Sequence, residues 1–450
     1  MNFLPLTVQL VFRPTGFADL AAKRVGIFGY GVEGHATAEL LRPIVASLVI
    51  VDDAHGLGDS VLVTTEGGHD ALLTCDVVLK SPGIPRRRAD VLDLEAHNVA
   101  VCSALNLWLH DIDRSRVVAV TGTKGKSTTT ALITFFLRCL DEDARALGNF
   151  GQPPYDRAVD TSSGWLVVEV SSYQCVDIDV APQLVVVTSL GADHLDWHGS
   201  LEQYHADKLS LTRADGWHRT LVPESSDLRT VADQLGGDVT FVDADSHELA
   251  GALGLLGAHN ASNVALGLAA VQVLTGQPLE RVTTVVTERA SAFEPLRGRL
   301  TLIANESVGV GRVLYVDDGL ATAPLPTVAA LDVFCAEPVA LLTGGFDRGV
   351  DYAPLATALS MRRRPTLVLT MGEAGRRLGD ALRTYGSVLT PVEVESMSRA
   401  VHLGRHFVRT GGVVLFSPAA PSFDHYRNWE ERSNDFTRAV RQSLERDPDA

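Results

Sequence analysis

The chain has 450 residues, more than one hydrophobic core usually organises, so two or three domains are expected. Hydrophobic residues make up 46% and charged residues 21%, with no low-complexity run, which excludes a largely disordered chain. A formal net charge of -16 argues against a nucleic-acid-binding protein, whose surface must be basic, yet a few local cations and backbone N–H groups can still hold small anions.

The opening MNFLPLTVQLVF alternates like a strand, is broken by Pro5, and lacks the basic flank of a secretory signal. No stretch approaches the roughly 20 apolar residues of a membrane span, so a soluble cytoplasmic protein without membrane insertion is expected. Cys75, Cys102, Cys139, Cys175 and Cys335 have no CxxC spacing and read as buried thiols of a reducing compartment. Strands are predicted at 25–28, 47–51, 76–80, 117–120, 166–170, 184–188, 339–343, 366–370 and 413–416. Apolar residues at helical spacing lie between them, as at 128–140 and 261–275, a parallel α/β pattern. Polar segments at 110–116 and 291–299 divide it into three expected domains, 1–113, 114–298 and 299–450.

Gly29-Tyr30-Gly31-Val32-Glu33-Gly34 follows the first predicted strand and opens a helix, and Asp52 and Asp53 end the next strand. Taken alone this reads as a dinucleotide fingerprint, in which Glu33 is an awkward neighbour for a diphosphate. The strongest signal is Thr121-Gly122-Thr123-Lys124-Gly125-Lys126-Ser127-Thr128, between the strand VVAV and the helix TTALITFFLRCL. Strand, glycine loop and helix occur in the order a phosphate cradle requires: backbone N–H groups and the helix N-terminus face the anion, Lys126 bridges phosphates, and Ser127 can ligate magnesium. Val120 stands where the strict Walker pattern has its first glycine. Glu169 ends a buried parallel strand, where open α/β sheets place ligands, and its hard oxygens suit magnesium. His194 also follows a buried strand, as a metal ligand or as a polar loop residue. Lys208 sits on a predicted helix, where a lysine is most often a solvated charge.

TGTKGKST resembles the phosphate loop of the Mur ligases, and further matches follow in order. Leu147-Gly148-Asn149-Phe150-Gly151 resembles the family's GNxG, GAHNASN at 257–263 its HNxxN, Lys80-Ser81-Pro82-Gly83-Ile84 its SPG loop, and residues 415–436 the C-terminal segment of its glutamate-adding branch. The resemblance implies an α/β chain with a Rossmann-like UDP-binding domain, a central P-loop ATPase-type sheet and a Rossmann-like C-terminal domain. It implies ATP and two magnesium ions as cofactors, with Gly122 to Thr128, Asn149, Asn260, Asn263, Arg299 and Asp318 binding nucleotide. Ser127 and Glu169 would serve one magnesium ion and His194 the other, supported by Lys208 once its neutral amine is carbamylated. Gly29, Gly31, Gly34, Asp52, Ser81 and Gly83 would hold the UDP part of the substrate.

In the last third, Asp317-Asp318-Gly319-Leu320-Ala321-Thr322 partly matches the family's NDSKAT, and Gly344 to Gly349 resembles its GGxxKG. The resemblance places Thr322, Arg348, Ser422 and Trp429 around the incoming glutamate. Leu320 and Arg348 replace two lysines, and a planar guanidinium grips a carboxylate differently from an ammonium. GGFDRG and APSF resemble a minor branch that adds L-glutamate, so L is expected and D-glutamate is the alternative. The implied reaction is ATP-dependent joining of glutamate to UDP-N-acetylmuramoyl-L-alanine through an acyl phosphate, by a monomer. A folate polyglutamate synthase, a nicotinamide-dependent oxidoreductase and a noncatalytic ATP-binding regulator are the rivals; residues 24–113 weigh against the first, the phosphate loop against the second, and Lys126, Glu169, His194 and Lys208 against the third.

Overall fold

Runs that are apolar at every position become the inner strands of three sheets, because a parallel strand is covered on both faces. The computed structural model describes residues 12–445 apart from 59, 150, 244–245, 386–388 and 424; most of the alternating opening segment lies outside them. The first sheet contains β1 (Arg24–Phe28), β2 (Ser47–Asp52), β3 (Val61–Val63), β4 (Val77–Lys80) and β5 (Ala100–Cys102), all parallel in the order β3-β2-β1-β4-β5. The second contains β6 (Val117–Thr121), β7 (Ala144–Gly148), β8 (Trp165–Glu169), β9 (Leu184–Val187), β10 (Arg219–Pro223) and β11 (Asp238–Val242), parallel in the order β11-β10-β9-β6-β8-β7. The third contains β12 (Thr301–Val308), β13 (Gly311–Asp317), β14 (Val339–Gly344), β15 (Thr366–Met371), β16 (Val392–Glu393) and β17 (Gly412–Phe416). Its order is β12-β13-β17-β14-β15-β16, with an antiparallel β12–β13 hairpin on an otherwise parallel sheet.

The chain divides into two compact units. One holds residues up to Ser246 together with Ser262–Arg289; the other holds His247–Ala261 and the chain from Ala290 onward. In the first unit two sheets share one apolar cluster, in which Leu79 and Trp108 of the first sheet's layer join Ala119, Leu166 and Val185 of the second. Polar ties reinforce it: Lys80 Nζ lies 2.5 Å from Asp177 Oδ2, both fully enclosed, and Arg86 reaches the other Asp177 oxygen at 3.1 Å. In the second unit the sheet is covered on one face by Leu355, Leu359, Leu378 and Leu382 and on the other by Met397, Val401, Phe436 and Val440.

One expectation needs correction. Cys335 is exposed and Cys102 half-buried, because Cys335 falls just past the helix Pro324–Val333, where the apolar run leaves the core; Cys75, Cys139 and Cys175 are buried. Lys208 is only 1% exposed, so the general reading of a helical lysine as a solvated charge does not hold at this position, and the burial that the resemblance implied is present. No helix among the described residues is long and apolar enough to cross a membrane.

Candidate active site

The phosphate loop joins β6 to the helix Lys126–Cys139, and two of its residues must be glycine. Gly122 has φ 141° and a Cβ there would lie 2.1 Å from Thr188 Oγ1, while Gly125 has φ 88° and a Cβ would lie 2.5 Å from Asn263 Oδ1. The neighbouring strand-end supports the loop: Thr123 N–H donates to Ser189 O at 2.9 Å and Lys124 N–H to Ser189 Oγ at 2.8 Å. Lys126 Nζ turns back on the loop, donating to Gly122 O at 3.0 Å and Thr123 O at 3.3 Å. Ser127 and Thr128 follow in the first helical turn, with Ser127 buried.

Glu169 closes β8 beside β6, 2% exposed. Asn149 Nδ2 donates to its Oε1 at 2.9 Å, whereas Oε2 is buried without a hydrogen-bond partner. A buried carboxyl oxygen without a partner is costly, and a hard cation is a partner that suits oxygen. Among the described residues no three His, Cys, Asp or Glu side chains form a group that could hold a metal ion.

Lys208 lies near the end of the helix Leu201–Leu209, where Nζ donates to Gly122 O at 3.0 Å and sits 4.9 Å above the Tyr204 ring. Burial, helped by the Lys126 charge, lowers its amine to about 7, which leaves a large neutral fraction near neutral pH. Tyr204 O–H donates to Thr123 Oγ1 at 3.0 Å, tying the same helix to the loop. His194 adopts φ 49° as the residue before the short helix Leu195–His198, with its side chain about half exposed and its ring 5.0 Å from that of Tyr173.

At the first sheet, Gly29 (φ 97°) and Gly34 allow close helix-to-strand packing: a Cβ on Gly34 would meet Gly29 O at 2.2 Å. Gly31 and Gly83 border open space. Asp52 accepts from Tyr30 N–H at 2.6 Å and Ala54 N–H at 2.8 Å, shaping the loop, and Ser81 Oγ donates to Gly29 O at 2.7 Å. Glu33 accepts from Tyr155 O–H at 2.8 Å and Gln174 Nε2 at 2.7 Å, with burial raising its pKa.

On the helix Ala258–Thr275, Asn260 donates from Nδ2 to Leu256 O at 2.7 Å, and Asn263 Oδ1 accepts from Thr129 Oγ1 at 3.2 Å. At the end of β13, burial raises the Asp318 carboxyl to about 7, opposed by a 2.7 Å hydrogen bond from Ser417 and by the nearby Arg299 charge. Ser422 is buried, Thr322 and Arg348 are exposed, and the Arg348 guanidinium lies 5.9 Å from the Phe423 ring. Trp429, half-buried, begins the helix Trp429–Glu445. Sequence reasoning missed Arg432, which is 2% exposed and donates to Ala420 O at 2.8 Å and Pro421 O at 3.0 Å. It also missed the Arg87–Asp207 pair, although the run Arg86-Arg87-Arg88 after the SPG loop was a visible signal.

A phosphate loop flanked by a bare buried carboxylate and a buried, partly neutral lysine defines an enzyme that uses a nucleoside triphosphate. A family model described as the Mur ligase middle domain matches residues 120–229. The chain is 36% identical to a UDP-N-acetylmuramoyl-L-alanine--L-glutamate ligase of a Micromonospora species and 35% identical to one of Salinispora tropica, in each case over 94% of this chain and 98% of the relative. Its fold is similar to that of a MurF ligase from Thermotoga maritima solved in complex with ADP, at TM-score 0.55 and 15% identity, covering 96% of this chain and 97% of the other. The chain belongs to the Mur ligase family and is an ATP-dependent amide-forming ligase.

Proposed function

We propose that the chain joins L-glutamate to UDP-N-acetylmuramoyl-L-alanine in peptidoglycan precursor synthesis. The observation that carries the catalytic part is the convergence of Lys126 and Lys208 on Gly122 O, beside the bare oxygen of Glu169 on the adjoining strand. The substrate carboxylate attacks the γ-phosphorus of ATP; an O–P bond forms, the bond to the β-phosphate oxygen breaks, and ADP leaves. Glutamate's amine then attacks the acyl phosphate, loses a proton, and expels phosphate through a tetrahedral intermediate. Lys126 and the loop N–H groups hold the phosphates and offset the charge gathering on the transferred group. Magnesium would add further neutralisation, with Ser127 and Glu169 holding one ion and His194 with carbamylated Lys208 the other. Asn149, Asn260, Asn263, Arg299 and Asp318 are assigned to the nucleotide.

Gly29, Gly31, Gly34, Asp52, Ser81 and Gly83 are assigned to the UDP moiety, and Thr322, Arg348, Ser422 and Trp429 to glutamate. The domains are taken as 1–113, 114–298 and 299–450, in a cytoplasmic monomer. The preference for L rests on Arg348, whose planar fork fixes one carboxylate orientation while the amine must still reach the acyl phosphate. Incubating the protein with UDP-N-acetylmuramoyl-L-alanine, ATP and either isomer, with detection by product mass, tests the reading. The expected result is product with L-glutamate and a preference for it in competition; preference for D-glutamate overturns the isomer, and no product with either overturns the activity. Arg348→Lys is expected to lower kcat/KM for glutamate by about tenfold, the loss of roughly one charge-assisted hydrogen bond.

A further inference from the structure

The loop from Ser81 to Arg88 leaves the first sheet at β4 and docks on the helices that lead to Lys208. Two side-chain contacts tie it to those helices, besides the ties of Arg86 to Asp177 and of Arg88 to Asp53. Trp197 Nε1 donates to Gly83 O at 3.0 Å, and the Arg87 guanidinium grips the Asp207 carboxylate with both terminal nitrogens, at 2.9 and 3.1 Å. Asp207 is 6% exposed and receives two further hydrogen bonds, 2.8 Å from His198 Nδ1 and 2.6 Å from Gln203 Nε2. The other ring nitrogen of buried His198 is 3.0 Å from Ser172 Oγ, on the segment that follows Glu169. A continuous chain of polar contacts therefore runs from the loop beside Ser81 and Gly83, through Asp207, to the strand-end that carries Glu169.

Asp207 and Lys208 are neighbours on the helix Leu201–Leu209, about 100° apart around its axis. A helical turn rotates as a rigid body, so fixing the direction of Asp207 fixes that of Lys208. Arg87 supplies the grip on Asp207 that comes from the substrate loop, and its bidentate geometry resists rotation in a way that a point charge does not.

We propose that Arg87 is a positioning residue: through Asp207 it orients the Lys208 helix, so that occupancy of the Ser81–Arg88 loop and occupancy of the phosphate loop favour each other. This rests on the assignment of those two loops under the proposed function. Calorimetry on the full chain with magnesium tests it, using UDP-N-acetylmuramoyl-L-alanine and adenylyl imidodiphosphate separately and together. In the wild type each ligand is expected to tighten the other by about tenfold, within the usual range of coupling between sites. In Arg87→Ala that factor falls toward one while each ligand alone binds within about threefold of the wild type. Asp207→Asn behaves alike, the double variant shows no further loss, and Arg87→Lys recovers part of the coupling. Thermal unfolding identifies a variant that misfolds, and should Asp207→Asn do so, the half-exposed Arg87 carries the test alone. Unchanged coupling in Arg87→Ala, or none in the wild type, overturns the inference. A wild type that forms product yet shows no coupling leaves the ligase reading standing; one that binds neither ligand overturns both.

Discussion

Lysine side chains rarely lose solvent completely, and Lys208 does so against the carbonyl of a phosphate loop. Its amine, lowered from 10.5 to about 7 by burial and by Lys126, is basic enough to bind a proton and neutral often enough to react with carbon dioxide. Between about 7 and 10.5 the unfolded chain binds more protons at this site than the folded one, so its contribution to stability rises with pH across that window. Lys208→Ala is expected to lose at least about 100-fold in turnover, and short carboxylates such as acetate should restore part of it. With bicarbonate excluded, so that the amine stays free, melting temperatures from pH 7 to 10 should show the wild type gaining on this variant as pH rises, and a constant difference would count against the lowered amine; full activity without acetate would count against the catalytic assignment. Lys126 differs, because its ammonium donates to loop carbonyls on a backbone whose shape the two glycines set. Lys126→Ala should therefore melt near the wild type while phosphate release falls by about 100- to 1,000-fold. Lys126 and Glu169 stand in contiguous sequence motifs, whereas Lys208 reads locally as an ordinary helical lysine and is singled out only by the family resemblance. Asp207 and Arg87 were not legible in the sequence, since they are 120 positions apart and only the fold brings them together.

Three chain segments meet at Arg432, on the helix Trp429–Glu445. Its guanidinium donates to Ala420 O and Pro421 O, and its terminal nitrogens also lie 3.5 Å from Gly344 O and Gly319 O. Those carbonyls belong to the segments before Thr322, Arg348 and Ser422, so one planar group sets the spacing of the loops assigned to glutamate. An ammonium cannot span the same carbonyls. Arg432→Lys is thus expected to raise the KM for glutamate by about tenfold and lower the melting temperature, with the KM for ATP less affected. Equal effects on both constants would show a general loss of structure instead. The role of this arginine is not readable from sequence, because a buried Arg has the same local pattern as a solvated one. Strands divide on similar lines. VVAV and VALLTG announce themselves because they are buried at every position, whereas ARALG of β7 is half-covered and TLIANESV of β12 carries Asn305 and Glu306 on a sheet edge.

At the scale of the whole chain, a three-part sequence pattern coexists with two compact units, and the side chains between the first two sheets explain why. Besides the shared apolar cluster, Lys80 of β4 and Asp177 form an ion pair with 0% and 1% of their side chains exposed. The pair is close but not aligned as a hydrogen bond, so its charges are satisfied mainly by each other and, for Asp177, by Arg86. Such a pair adds little beyond what apolar residues of similar size would supply, yet removing one partner strands a buried charge at about 3–5 kcal/mol. Calorimetry should therefore find the first two sheets melting in one transition, and Asp177→Ala should lower it by about 6–20 °C, taking about 2–4 °C per kcal/mol for a unit of this size. Adding Lys80→Met to an Asp177→Leu chain should recover most of that loss, because the buried ammonium goes with its carboxylate while the partly exposed Arg86 keeps Glu95 at 3.0 Å. A shift below about 2 °C in Asp177→Ala would mean that the sheets are coupled by their apolar contact alone, and two well-separated transitions would mean that they are not coupled at all.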